Sequence, residues 1–143
     1  MKRHVVILAK EYFGAKSIYE MILDGTKTIE SRWSMHKCAP YQKVEPGDLL
    51  LLKESGRPVT ACATAAKVAY YELTPSLVDE LRLQYGKEIG AEDAAAWEST
   101  RDKRYGTLIW LADVHKITPI FVPRAHGAGW IIMDDDAGEA RNP

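Results

Sequence analysis

A mainly β, α+β domain is predicted for this chain: a small, partly open β-barrel with helices across its mouth. Short β-branched and aliphatic runs recur along the sequence. One amphipathic helix lies near the start and a helical insertion in the middle. Strands and helices alternate too little for a doubly wound parallel sheet.

The elements follow in chain order. His4 to Ala9 is β-branched and aliphatic, a first strand. Between Ala15 and Asp24, Ile18, Met21, Ile22 and Leu23 recur at helical spacing, and Gly25 supplies a left-handed stop. Leu49 to Leu52 is continuously apolar and short, as expected of a strand buried on both faces. Val59 to Tyr71 is rich in Ala, Thr and Val and reads as a long, bent strand whose small side chains leave room for a neighbour or a ligand. Thr74 and Pro75 are an N-cap and first helical residue; Leu77, Leu81 and Tyr85 make the apolar stripe and Gly86 the stop. A further helix is expected from Ala91 to about Thr100. Tyr105 to Val114 is strand-like, Ile117 to Val122 continues it through Pro119, and Gly129 to Met133 is the last short strand.

With 143 residues, a net charge of −1 and 46% hydrophobic residues, one soluble domain over residues 1–133 is the simplest organisation. The last ten residues carry Asp134, Asp135, Asp136 and Glu139 against Arg141 alone, an acidic tail expected to be solvated. The remainder is only mildly basic, which argues against a general nucleic-acid binder with a strong positive stripe. Neither a membrane span nor a secretory leader is expected. Cys38 and Cys62 form no close-spaced metal or redox motif, so a cytoplasmic location with reduced thiols is the expectation.

The richest segment is Gly25-Thr-Lys-Thr-Ile-Glu-Ser-Arg-Trp33. A helix stop here launches an extended run that carries two cations, a carboxylate and an aromatic plate. Alternation puts Lys27, Ile29, Ser31 and Trp33 on one side and Thr28, Glu30 and Arg32 on the other. Lys27 and Glu30 are a candidate acid–base pair, because a neighbouring carboxylate favours the ammonium while burial favours neutrality. The plain alternative is an ion pair closing the helix–strand joint. Arg32 offers a planar fork for a phosphate or base edge, or a salt bridge to Glu30 or Glu54. Trp33 is either a stacking platform for a base or a core residue.

Gly25-x-Lys27-x-x-Glu30-x-Arg32, followed by Pro46-Gly47-Asp48 before the apolar run, resembles the ASCH domain of the PUA-like superfamily. The spelling is similar to the branch that reads Lys-Thr-x-Glu-x-Arg-Trp, and Pro119-x-x-x-Pro123-Arg124 with Gly129-Trp130 is similar to its closing strands. The resemblance spans residues 4–133 and implies a PUA-like pseudo-β-barrel with flanking helices. It also implies that the motif residues line a cleft. Some ASCH relatives act as amidohydrolases on acylated cytidine with a Lys and a Thr three residues later; here that position is Glu30, so the nucleophile is missing. Other relatives have been proposed as ribonucleases or as readers of RNA and modified bases.

Further ligand-binding candidates are Lys53 and Glu54, expected at the same rim, the hydroxyls of Ser34, Thr64 and Tyr105, and Arg124 with His126 before the Gly127-Ala-Gly129 turn. That glycine pair lacks the strand and helix of a dinucleotide fingerprint. His36 and Cys38, with Cys62 and scattered histidines, fall short of a structural zinc pattern, and no cofactor is implied. Two functional expectations follow: a module that binds RNA, a nucleotide or a modified nucleobase, or a small hydrolase using Lys27 and Glu30. A third is a protein-interaction domain with a vestigial cleft.

Overall fold

The computed structural model describes residues 1–91, 94–123 and 127–133. Its centre is a curled six-stranded sheet built from β1 (Arg3–Leu8), β4 (Ile29–Ser34), β5 (Leu49–Glu54), β6 (Val59–Glu72), β7 (Tyr105–Ile120) and β8 (Trp130–Met133). The strand order is β4-β7-β6-β5-β1-β8, with β1 and β5 parallel and every other pair antiparallel. A short hairpin, β2 (Tyr12–Phe13) and β3 (Lys16–Ser17), precedes helix α1 (Ile18–Asp24). Helix α2 (Pro75–Ile89) and a 3-10 segment (Ala94–Thr100) fill the middle of the chain.

Local chemistry explains the boundaries. Ser17 and Glu20 form a reciprocal capping box at the start of α1, and Gly25 closes it at φ 83°. Helix α1 therefore starts three residues later than the apolar spacing suggests, because Lys16 and Ser17 pair with β2. Thr74 caps α2 with Pro75 in its first turn, as expected, but the helix runs past Gly86 to Ile89. Gly86 is buried inside the helix, and Gly90, at φ 91°, is the left-handed stop. The expected helix at residues 91–100 is instead a single 3-10 segment. β7 is one strand running on through Pro119, as expected; residue Asp113, at φ 51°, absorbs an irregularity as a bulge against β6.

β6 and β7 shift register three times along their length, which curls the ribbon toward a barrel. The small residues of β6 make room for neighbours, the first of the two expected uses: Ala61, Ala63 and Ala65 are fully buried in one core with Leu50, Leu52, Ile22 and Trp130. A second core lies between β4, β7 and α2, built on Ile29, Leu108, Val78, Leu81 and Trp97. The turn from α1 into β4 is fixed at both ends. The Lys27 amide donates to Met21, the Thr28 amide to Glu88, and the Thr28 carbonyl accepts from Leu111. Those bonds place the charged segment between α1, the end of α2 and the sheet.

Candidate functional site

Lys27 precedes β4, so it does not share the face of Ile29 that simple alternation assigns it. Its ammonium turns to the Glu30 side and lies 3.3 Å from Glu30 Oε1. Two carbonyls complete its shell: Nζ donates to Ile29 at 2.9 Å and to Ile89 at 2.7 Å. All three of its N–H bonds thus face acceptors. Glu30 Oε2 lies 2.9 Å from both Nε and Nη2 of Arg32. Arg32 also donates from Nη1 to the Gly129 carbonyl at 2.9 Å and from Nη2 to the Ile7 carbonyl at 3.0 Å. Each of its three nitrogens therefore donates one hydrogen bond inside the protein, and Nη2 is also in ion-pair contact with Glu30. Its guanidinium sits 5.3 Å from the centre of the Trp130 ring.

Lys27 and Glu30 are almost completely buried, at 6% and 5% exposure. Burial pushes the Lys27 ammonium below its ordinary range, and Glu30 limits the fall while Arg32 adds to it. Burial would raise the Glu30 carboxyl, but Arg32 and Lys27 outweigh it and hold it below the usual glutamate range. The trio thus sets one carboxylate between two basic side chains.

This trio forms part of the wall of an open groove of about 1460 Å³. Trp33, Lys53, Arg57, Trp97 and Phe121 also line it, as does the backbone of Gly90–Ala91 and Gly127–Gly129. Trp33 meets the edge of Trp97 at 5.2 Å between ring centres, and the Trp97 indole donates to the Ala91 carbonyl at 2.7 Å. Trp33 is consequently both a core residue and a groove wall. Phe121 is 83% exposed at the rim. Gly90 is favoured by its φ of 91°, and a Cβ on Gly129 would stand 2.9 Å from Arg32 Nη1 and so push the guanidinium aside.

The structure thus brings Lys27, Glu30, Arg32, Trp33 and Lys53 to one groove. Lys53 arrives although β5 is not a neighbour of β4, because the sheet curls. Ser34 lies on a smaller depression beside it, while Glu54, Thr64 and Tyr105 line neither. Arg124 and His126, like the acidic tail, lie outside the described residues. Arg57, Trp97 and Phe121 were not among the sequence candidates for the site, and Gly129 entered only through the Gly127-Ala-Gly129 turn and the Gly129-Trp130 pair. Among the described residues no cluster of three or more His, Cys, Asp or Glu side chains is placed to hold a metal ion.

The curled mixed sheet with its two helices is a PUA-like pseudo-barrel. Within that class the chain has the fold of ASCH-domain structures. The ASCH protein of Zymomonas mobilis matches with a TM-score of 0.69 at 15% identity, over 99% of this chain and 94% of that one. A single-substitution variant of the same protein gives 0.70 at 15% identity, over 99% and 97%. The N-terminal domain of McrB from Staphylothermus marinus matches at 0.51 and 14% identity, over 96% and 91%. No family model and no curated protein matches the sequence. No helix among the described residues is long and apolar enough to cross a membrane.

Proposed function

We propose that this chain is an ASCH-type module that binds a nucleobase or nucleotide, free or within RNA, in the groove beside Lys27, Glu30 and Arg32. The observation that carries the reading is a desolvated ion trio opening onto a groove with tryptophan walls. Burying charge is costly and is not needed to stabilise a barrel. A buried charge facing a ligand-sized hollow is a candidate functional site for that reason.

The roles differ from those the sequence suggests. Every nitrogen of Arg32 already donates to a group inside the protein, one of them to Glu30, so its role is to orient Glu30. Glu30 accepts from the exocyclic amine of a base. Trp33 and Trp97 supply the apolar wall, and Lys53 and Arg57 at the rim meet the anionic part of the ligand. Titration of the intrinsic tryptophan fluorescence with nucleosides, nucleotides and short RNA tests this. Saturable quenching by at least one of them is expected, and no saturable signal with any would end the proposal.

One observation favours hydrolysis as a second reading: Lys27, held below its ordinary pKa by burial, lies within 3.3 Å of Glu30 at the groove wall. On that reading the pair moves a proton between water and a modified nucleoside or RNA. Turnover would then fall by at least a hundredfold in both Lys27→Met and Glu30→Gln variants that retain their fold. Unchanged turnover in both removes the hydrolase.

A further inference from the structure

We propose that the ligand is a single-stranded oligonucleotide, and that Lys37, Arg104 and Tyr105 form a second subsite for the nucleotide adjoining the one in the groove. The inference rests on the nucleotide-binding reading above and identifies the form of the ligand.

The first support is size. The groove, at about 1460 Å³, exceeds the roughly 300–1000 Å³ of sites that enclose one small molecule. A second depression of about 160 Å³, too small to hold a whole ligand alone, shares lining residues with it. Arg32, Trp33 and Gly129 line both hollows and form the saddle between them. A ligand bound on one side therefore has a ready continuation across the saddle.

The second support is the charge that waits beyond it. Ser34 and Tyr41 line the smaller depression. Ser34 pairs with Tyr105 across β4 and β7, and its carbonyl accepts from the Arg104 amide at 3.0 Å. Tyr41 packs on the Tyr105 ring with 5.0 Å between centres. Two cations flank that same ring, Lys37 Nζ at 5.7 Å and Arg104 Cζ at 6.0 Å. Both are exposed, and among the described residues neither has a carboxylate partner. Arg101 nearby differs, because Asp79 already holds it at 3.3 Å.

Unpaired exposed cations around an aromatic ring, next to a shallow hollow, suit the alternation of phosphate and base along a single strand. Duplexes present no unstacked base to such a surface. The mild overall charge of the chain fits contact with a few phosphates only.

The test compares 5′-mononucleotides with single-stranded RNA hexanucleotides on the wild-type chain and on a Lys37→Glu/Arg104→Glu double variant. The hexanucleotide should bind wild type about tenfold tighter than the mononucleotide. The double variant should lose about tenfold on the hexanucleotide and keep its mononucleotide affinity. Its slope of log K against log salt should flatten by about 1.4, from roughly 0.7 for each of two phosphates. Equal affinity of wild type for both ligands, or an unaffected double variant, overturns the second subsite. If mononucleotides bind without any length dependence, only the second subsite falls. If neither ligand binds wild type, the groove reading falls and takes the subsite with it.

Discussion

Two polar networks both meet Trp130, and they are built to opposite ends. In one, His4, fully buried, places Nε2 2.8 Å from Asp48 Oδ2 and accepts the Trp130 indole proton at Nδ1, at 3.0 Å. An indole only donates, so His4 carries its proton on Nε2 and gives it to Asp48. Asp48 also accepts the amides of Lys2 and Glu45, each at 3.0 Å, and its carboxyl lies below its ordinary range: burial raises it, and these bonds together outweigh burial. Neither His4 nor Asp48 lines either hollow. The Lys27–Glu30–Arg32 trio, whose Arg32 stacks near the same ring, is equally well bonded, yet it lines the groove. The closed network fixes β1 and β8 to the Pro46-Gly47-Asp48 turn. The open one gives the protein a place to meet a ligand. Hydrogen-bond satisfaction therefore does not separate scaffold from site; contact with the groove does.

That contrast can be broken most forcefully at Glu30. Glu30→Ala leaves two buried cations without their anion and should cost about 3–5 kcal/mol of unfolding free energy, read by denaturant titration. It should also abolish nucleotide binding under conditions where the variant remains folded. Asp48→Ala strands the His4 proton and two backbone amides and should cost about 1–3 kcal/mol, while nucleotide affinity stays within about twofold. Loss of binding in that variant at full foldedness would erase the distinction between the two networks. Gly90→Ala sets a side chain at φ 91° against Met21 and should cost about 1–2 kcal/mol.

Acid sharpens the same comparison. Folding lowers the pKa of both Glu30 and Asp48, so their contributions are complete above the ordinary carboxylate range. They disappear as pH falls through the lowered folded values. Stability should therefore decline on acidification, and the decline should be shallower in both Glu30→Gln and Asp48→Asn. An acid limb unchanged in both variants would contradict this. The smallest effect belongs to the solvent-exposed Asp24, held down to about 2 mainly by its hydrogen bond to Lys16 and then by Thr26. Lys16→Ala should move the Asp24 carboxyl upward in an NMR titration with almost no change in melting temperature.

Local signals made much of the scaffold legible. The apolar run Leu49–Leu52, the Gly25 stop and the Thr74-Pro75 cap each act within a few residues, and the structure follows them. Gly86 misled because a glycine facing a packed core is tolerated in a helix whose true left-handed residue lies four positions on. Lys27 was misplaced because alternation applies only inside a strand, and β4 begins at Ile29. Of the partners of Arg32, the nearby Glu30 was legible as a salt bridge, whereas Ile7 and Gly129, 25 and 97 positions away, were not. The same holds for His4 with Asp48 and Trp130, brought together by the pairing of β1 with β5 and β8.

The central claim, that the groove beside the ion trio is a nucleotide site, is tested most directly by following the indole N–H resonances during a nucleotide titration. Trp33 and Trp97 line the groove, whereas Trp110 packs between Lys67 and Tyr85 away from it. Saturable shifts of Trp33 and Trp97, with Trp110 unmoved, are the predicted result. Shifts confined to Trp110, or none that saturate for any nucleotide or RNA, would contradict the account.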